Sequence, residues 1–166
     1  MSDTFLPGYQ LRSGSGLDRA LLVKFLQQTY RELNPDGNLA HLVQTVDQYF
    51  SKESPLWWVE GELGETTFRP GSASPYRQPI ACLWLGNAID QIWGDRHAHI
   101  FLLYVVPEQR RQGIGSALMR HAEAWAKARG DRQIGLQVFQ NNLPALQLYT
   151  KLGFQTQSLW MLKPLR

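Results

Sequence analysis

The sequence predicts an α/β fold (α+β, with a mixed sheet) in which helices flank one central sheet. Two amphipathic helices come early, strands follow them, and a buried strand then leads through a turn into a third helix. Early helices followed by mixed strands and one strand–helix–strand crossover are typical of a sheet with both antiparallel and parallel neighbours. The length of 166 residues and the hydrophobic content of 43% fit a single domain over residues 1–166.

Composition excludes several classes of protein. Cys82 is the one cysteine, which rules out a disulfide framework and a thiolate zinc site. The longest apolar run, residues 100–107, is too short to span a bilayer, and the first residues lack the pattern of a secretion signal. The net charge of +3 reflects few acidic residues, without the basic stripe of a nucleic-acid binder. We therefore expect a cytoplasmic protein with neither a membrane nor a nucleic-acid partner.

The first elements follow from periodicity and capping. Residues 9–12 favour a short strand, and Ser15 stands three positions before Asp18, as in a capping box. The break at 34–37 (Asn-Pro-Asp-Gly) separates two helices. Helical spacing in the first gives an apolar stripe of Leu21, Leu22, Phe25, Leu26, Thr29 and Leu33. The second carries Leu39, Leu42, Val43, Val46, Tyr49 and Phe50 on one face.

Strands dominate the middle of the chain. Residues 56–60 and 80–85 favour strands, and a continuation of the second toward Ile92 is left open. The Gly-, Pro-, Ser- and Thr-rich stretch 61–79 between them is interpreted as a long hairpin loop, with a functional lid as the alternative. Residues 99–106 are nearly all apolar, which predicts a strand covered on both faces.

The last third alternates helix and strand. Residues 114–129 predict an amphipathic helix that Gly130 ends. A strand over 134–139, a short helix over 144–152 and a final strand over 154–162 complete the predicted order.

The turn between the buried strand and the third helix is the most informative segment. Gly113 and Gly115 open the helix, where backbone N–H groups lack partners and the helix dipole is positive. Glycine lets a ligand approach the backbone, and Arg110 and Arg111 add positive charge. The pattern predicts a phosphate site. The alternative is that the two glycines serve only a tight turn and close packing of helix on sheet.

Two other nucleotide motifs do not fit this turn. A dinucleotide fingerprint needs a third small residue at Leu118 and an acidic residue near position 134, where the sequence reads Ile-Gly-Leu. The Gly-Lys-Ser/Thr of a P-loop is missing as well.

Taken together, two motifs resemble the GNAT superfamily of acyl-CoA-dependent N-acyltransferases. The first is Arg110-x-x-Gly113-x-Gly115, preceded by Val105-x-Pro107. The second, which follows at the expected separation, consists of Leu136, Val138, Asn142, Ala145, Tyr149, Gly153 and Phe154. The resemblance implies a twisted, mostly antiparallel mixed sheet flanked by about four helices.

The resemblance also implies how acetyl-CoA, the acyl donor, is bound. In relatives the pyrophosphate lies on backbone amides of the turn, and Arg110 belongs to the same motif. The pantetheine arm runs beside the preceding strand and pairs with main-chain groups near Leu103 and Val105. Asn142 contacts the pantetheine region in relatives, whereas the residues alone also allow it to cap the following helix. The turn amides correspond to Arg111, Gln112, Gly113, Ile114, Gly115 and Ser116.

Catalytic candidates follow from the same resemblance. Tyr149 takes the place of the tyrosine that protonates the CoA thiolate, although it could instead pack in the core; a phenol with a pKa of about 10 can donate that proton. The base is open. His97 and His99 share one face if both lie on the central strand, and we take His99 as the candidate.

Several alternatives for the base stay open. Some relatives that modify protein N-termini carry a glutamate where this chain has Gln137, which cannot accept a proton. Glu60, Glu62 and a water chain without a single base are further candidates. Two histidines without carboxylate or cysteine partners do not complete a metal site, so we expect no metal.

The predicted function is transfer of the acetyl group of acetyl-CoA to a primary amine by direct attack. The alternative is a catalytically weak acetyl-CoA-binding sensor or scaffold module. The acceptor is a small-molecule or peptide amine, and relatives often form homodimers. We further hypothesise an acceptor pocket lined by residues 30–38 with Trp57, Trp58 and Trp84, the alternative being core packing. Cys82 is expected to be an inert core thiol.

Overall fold

The computed structural model describes residues 5–61, 66–68 and 75–166, and within 66–76 it describes the backbone only. Within these residues the helices are α1 (Arg19–Leu33), α2 (His41–Tyr49), α3 (Ile114–Arg129) and α4 (Leu143–Lys151). The strands are β1 (Tyr9–Ser13), β2 (Leu56–Gly61), β3 (Thr66–Phe68), β4 (Pro75–Arg77), β5 (Pro79–Ile89), β6 (Arg96–Val105) and β7 (Ile134–Leu136).

Five of these strands form one mixed sheet in the order β1-β2-β5-β6-β7. The first three pairings are antiparallel, and β6 pairs with β7 in parallel across the α3 crossover. The predicted fold class, a mostly antiparallel mixed sheet flanked by four helices, is therefore confirmed. β3 and β4 form a separate two-stranded sheet inside the segment interpreted as a loop.

The sheet separates two hydrophobic cores. One face packs against α3, with Leu83, Leu85 and Leu118 fully buried. The other packs against α1 and α2, through residues such as Leu22 and Val46. Burial of this apolar surface is the main stabilising contribution to the fold.

The tryptophans of β2 and β5 belong to these cores. Trp57 lies in the core on the α3 side and Trp58 in the core on the α1 side, as alternation along a strand requires. Trp57, Trp58 and Trp84 are 9%, 0% and 1% exposed. The hypothesis that they line an acceptor pocket is therefore wrong, because core packing leaves almost none of their surface accessible.

The start of the helical layer is fixed by the predicted capping box. The Ser15 hydroxyl accepts from the backbone of Leu17, and the Asp18 carboxylate accepts from the Ser15 N–H at 2.9 Å. These bonds cap a short 3₁₀ turn, Gly16–Asp18, that leads directly into α1. Asp18 is buried and also pairs with Arg12 of β1, which ties the helix to the sheet edge.

Two predicted strands differ from the structure. β7 ends at Leu136, three residues earlier than predicted, and residues 154–162 form no strand. The apolar character of this last segment is compatible with a strand, but a strand also needs a neighbour for its backbone groups, and none of the described strands pairs with this segment. None of the described helices has the length and apolarity needed to cross a membrane.

Candidate active site

The turn after β6 combines two unusual backbone conformations. Arg111 has a φ of 66° and Gly113 a φ of 82°, both in the left-handed region, and α3 begins directly after them. Left-handed residues in a turn can direct successive N–H groups toward one concave side, as in an anion-binding nest. The sequence therefore places two left-handed residues directly before a helix N-terminus, and this turn with its amides is called the cradle below.

The amides of this turn are available to a ligand. Among the described residues, no hydrogen bond satisfies the backbone N–H groups of 111–116, whereas the next amide, that of Ala117, donates to the Gly113 carbonyl at 3.0 Å. No side chain caps the helix either. A row of donors at the positive end of a 16-residue helix favours a bound anion.

Gly113 leaves the cradle open. A Cβ built on Gly113 meets no described atom within 4 Å, so the space in front of the turn is accessible. Gly115 faces the other way, since its Cβ would lie 3.5 Å from the Leu148 side chain of α4. Gly113 thus serves the ligand side of the turn, and Gly115 serves the packing of α3 against α4.

The two arginines behave differently. The Arg111 side chain is exposed beside the turn. The Arg110 guanidinium donates to both carboxylate oxygens of Glu32 at 2.9 and 2.7 Å, and its Nε donates to the Val105 carbonyl at 2.9 Å. Arg110 therefore links the turn to α1, and its guanidinium is already engaged by these contacts.

β6 bends at Phe101. Trp84 of β5 is opposite Leu102, and the next residue, Leu85, is opposite Ile100, so Phe101 is the extra residue of a β-bulge. β7 pairs with β6 only as far as Ile100. Beyond the bulge, β6 therefore runs to Val105 with its outer edge unpaired among the described strands.

The unpaired edge presents the main-chain groups of Leu103 and Val105. The N–H of Val106 donates to Ile80 on the β5 side at 2.8 Å. Because main-chain groups alternate between the two edges of a strand, those of Leu103 and Val105 point away from β5. The Val105 carbonyl is held by Arg110, which leaves the Val105 N–H and both groups of Leu103 for a ligand.

A cavity of about 120 Å³ occupies the space where the strands separate. It is lined by the C-terminal half of α1, by β6 around Leu103, by the chain from 136 to 139, and by Asn142 and Tyr149. At the margin of the cavity, the exposed Phe139 ring lies beside the Tyr30 ring, with 6.2 Å between the ring centroids. The structure thus brings together β6, Asn142 and Tyr149, as predicted from sequence motifs far apart in the chain.

Asn142 has the capping role that the residues alone allowed. Its side-chain oxygen accepts from the Ala145 N–H at 3.4 Å at the start of α4. The same side chain borders the cavity, so capping and ligand contact are compatible.

Tyr149 lies on α4 with its ring against Phe154, at 5.7 Å between centroids. No described group forms a hydrogen bond with its hydroxyl, and Tyr149 lines the same cavity. Burial raises the pKa of Tyr149 to about 12. The phenol is therefore a protonated donor throughout the neutral range.

His97 and His99 share one face of β6, as predicted. Both are half-buried, and a Cβ on Gly135 would lie 3.0 Å from the His97 ring and 3.8 Å from the His99 ring. The His99 ring contacts Phe101 at 5.2 Å between centroids, which places it next to the cavity wall. Burial, and to a smaller extent the charge on His97, lowers the pKa of His99.

The other candidate bases fare differently. Glu60 is not near the cavity: it lies on β2 and is paired with Arg12 at 2.8 Å. Glu62 lies outside the described residues. Gln137 lines the cavity but is an amide. Cys82 is fully buried, and burial raises the pKa of its thiol, as expected of an inert core residue.

Sequence reasoning missed Glu32 and Phe101. Glu32 accepts from the Tyr104 hydroxyl at 2.7 Å and holds Arg110. The sequence gives little indication of this role for Glu32, because acidic residues near the end of an exposed helix face are common. Phe101 is one apolar residue in an apolar run, and only pairing reveals that it is the bulge.

Gly86 makes room for the bulge, and its substitution should be costly. A Cβ there would lie 2.1 Å from the Phe101 ring, which is held between Trp84 and Tyr49. We expect Gly86→Ala to lower the free energy of unfolding by about 1–3 kcal/mol in urea denaturation. Gly16→Ala is the control, because a Cβ there meets no described atom within 4 Å; it should change the free energy of unfolding by less than about 0.5 kcal/mol. Equal changes in the two variants would contradict the close contact between Gly86 and the Phe101 ring.

An unpaired strand edge beside a row of backbone amides without partners is an arrangement suited to an extended ligand that carries a phosphate group. The family model of the acetyltransferase (GNAT) family matches residues 23–154. The chain therefore belongs to the GNAT family, as its two motifs indicated.

Curated relatives match the chain in part. A streptothricin acetyltransferase of Streptomyces lavendulae is 44% identical over 50 residues, 30% of this chain and 26% of that protein. The ribosomal protein bS18-alanine N-acetyltransferase of Escherichia coli K12 is 39% identical over 67 residues, 40% of this chain and 45% of that protein. The chain thus aligns with less than half the length of these two relatives.

Solved structures match over nearly the whole chain. A Clostridium acetobutylicum protein solved with acetyl-CoA superposes with a TM-score of 0.72 at 19% identity, covering 95% of this chain and 96% of that one. An aminoglycoside 6'-N-acetyltransferase of Acinetobacter baumannii superposes with a TM-score of 0.63 at 19% identity, covering 96% of this chain and 100% of that one. At this identity the likeness establishes the fold alone.

Proposed function

We propose that this protein, as one domain over residues 1–166, transfers the acetyl group of acetyl-CoA to a primary amine. The row of six unsatisfied amides at 111–116, next to the open edge of β6, carries the proposal. A diphosphate suits the first feature and an extended amide-containing arm suits the second. Acetyl-CoA contains both in one molecule, and membership of the GNAT family supports the same donor.

The donor would be held mainly by backbone. The amides of residues 111–116 bind the diphosphate, with the Arg111 side chain close by. The N–H of Val105 and the main-chain groups of Leu103 pair with the arm, and Asn142 borders it. Backbone contacts demand little of the side chains, which explains why Gln112, Ile114 and Ser116 need no special chemistry.

The reaction would need no covalent enzyme intermediate. The neutral amine attacks the thioester carbonyl, whose oxygen is polarised by the Leu103 amide. When the intermediate collapses, the carbon–sulfur bond breaks and the amide product forms. Tyr149 donates its proton to the departing thiolate, and the proton released by the amine later restores the phenol.

His99 is the proposed base for the acceptor amine. Its ring contacts Phe101, which lines the cavity, and its lowered pKa keeps the imidazole neutral and able to accept a proton at pH 7. It would act through a water molecule, since its own ring does not line the cavity.

The pH profile tests this assignment. A base works when deprotonated, so kcat/KM should rise with pH through an apparent pKa below the ordinary histidine value of 6.5. His99→Gln should lower kcat/KM about 100-fold and remove this acid limb. His97→Gln removes a nearby positive charge, so the limb should move to higher pH. An unchanged profile in His99→Gln would exclude the role.

The comparisons with known proteins indicate only a broad chemical class for the acceptor. The named relatives act on streptothricin, on an aminoglycoside and on an alanine of the ribosomal protein bS18. We infer a small-molecule or peptide amine. A panel of such amines, followed by release of the CoA thiol, identifies it; a sensor module would bind acetyl-CoA and release no thiol above the rate without amine.

A further inference from the structure

The cavity between β6 and residues 137–139 has walls on both faces of the sheet. Leu103 and Tyr149 pack with the core on the α3 side, whereas Tyr30 and Phe101 pack with the core on the α1 side. The cavity therefore passes through the gap between the strands. Because the cradle opens α3, acetyl-CoA would enter from the α3 side. An acceptor that meets the thioester in the gap must then come from the α1 side.

The wall on the α1 side is aromatic. The Tyr30 ring meets the Phe139 and His41 rings nearly at right angles, with 6.2 and 6.3 Å between centroids. The Phe101 ring packs on Trp84 at 4.9 Å, which fixes the inner part of this wall. Phe139 is 54% exposed although it borders the cavity. Its ring therefore has a free apolar surface at the point where an acceptor would enter.

The lining of the cavity is neutral. The described residues that line it include neither a carboxylate nor a cationic side chain. Its polar side chains are those of Thr29, Tyr30, Gln137, Asn142 and Tyr149. The Thr29 hydroxyl already donates to the Phe25 carbonyl at 2.9 Å, and the proposed function assigns Asn142 and Tyr149 to the donor. An acceptor with several ammonium groups would therefore lose hydration here without gaining an ion pair.

We propose that the acceptor is a small primary amine whose amino group is joined by a short linker to an aromatic ring. The proposal rests on the proposed function, because only acetyl transfer requires an amine in the gap. Tyr30 and Phe139 bind the ring at the margin of the cavity, where edge-to-face contacts between aromatic rings are favourable. The amine and its linker occupy the cavity of about 120 Å³ beside Phe101, whose ring contacts His99.

Gln137 is suited to hold the amino group. Its side chain lines the cavity and remains neutral, and its amide oxygen accepts a hydrogen bond from an amine N–H. A neutral acceptor of this kind holds the uncharged amine, which is the form that attacks the thioester. The polar end of the ligand thus meets Gln137 inside the cavity, and its apolar end meets Phe139 outside.

Release of the CoA thiol from acetyl-CoA with three primary amines tests the substrate class. 2-Phenylethylamine has a ring and a short linker, butylamine has no ring, and kanamycin, an aminoglycoside, carries several ammonium groups. The kcat/KM for 2-phenylethylamine should exceed that for butylamine at least about 10-fold and that for kanamycin at least about 100-fold. Failure to reach either ratio, or a higher kcat/KM for an alanyl peptide, would overturn the proposal while acetyl transfer itself still stands.

The failure of the proposed function gives a different result. If none of these amines releases thiol above the rate without amine, the acceptor class is wrong. Titration calorimetry with acetyl-CoA then decides the proposed function separately, because a donor that does not bind would overturn that function as well.

Phe139→Ala tests the position of the ring. The ratio of kcat/KM for 2-phenylethylamine to that for butylamine should fall at least about 10-fold, through a higher KM for 2-phenylethylamine. Trp93→Ala is the matched control, because Trp93 is a 71% exposed aromatic residue that does not line the cavity, and the ratio should not change. Both substitutions alter exposed residues, so circular dichroism should show an intact fold. An unchanged ratio in Phe139→Ala, or an equal fall in Trp93→Ala, would overturn the proposal.

Discussion

Gly113→Val is expected to reduce the affinity for CoA by about 100-fold or more, because it removes at least one or two charge-assisted hydrogen bonds of about 1.5–3 kcal/mol each. Gly113 has a φ of 82°, which a β-branched residue strongly disfavours. Relief of this strain turns neighbouring amides out of the cradle. The valine side chain also enters the open space in front of the turn. Titration calorimetry with CoA measures the loss.

Gly130→Val is the matched control for this experiment. Gly130 ends the same helix with a φ of 89°, and a Cβ there also meets no described atom within 4 Å. Both substitutions should cost about 1–2 kcal/mol in the free energy of unfolding. Only Gly113→Val should lower the affinity for CoA. Equal affinities in the two variants would show that the cradle does not bind the diphosphate.

Tyr149→Phe should lower kcat about 100-fold or more while it changes the affinity for acetyl-CoA less than about threefold. The substitution removes the proton donor, but the ring keeps its contact with Phe154 and its place on the cavity wall. With a pKa of about 12, the phenol is protonated at every pH used for assay. Steady-state kinetics at saturating amine separate the two parameters.

Tyr49→Phe controls for loss of a hydroxyl elsewhere. Tyr49 is 49% exposed at the end of α2 and does not line the cavity. The kcat of the Tyr49→Phe variant should therefore equal that of the unaltered protein. Full activity in Tyr149→Phe would remove this residue from the mechanism. An equal loss of affinity and of kcat would assign it to binding instead.

Much of the fold was predictable because local signals agreed with the tertiary structure. Gly113 and Gly130 delimit α3 at the positions expected, since each adopts the positive φ that glycine favours. The capping box at Ser15 likewise depends on residues three apart. The row of unpartnered amides at the start of α3 was predictable for the same reason: a strand, a turn and a helix N-terminus are contiguous in sequence.

Features that depend on distant residues were not predictable. The partner of Arg110 is Glu32, 78 positions away, and nothing local distinguishes an arginine that binds a ligand from one that binds a helix. The bulge at Phe101 leaves no trace in a run that is apolar on both faces. Residues 154–162 have strand-like composition, but strand formation depends on a neighbour that composition does not specify.

The most direct test of the account is a crystal structure of the protein with CoA. The diphosphate oxygens should lie within about 3.2 Å of backbone nitrogens in the turn 111–116, with the pantetheine arm along Leu103 and Val105. A complex with the diphosphate elsewhere and these amides bonded to protein or solvent would contradict the central claim.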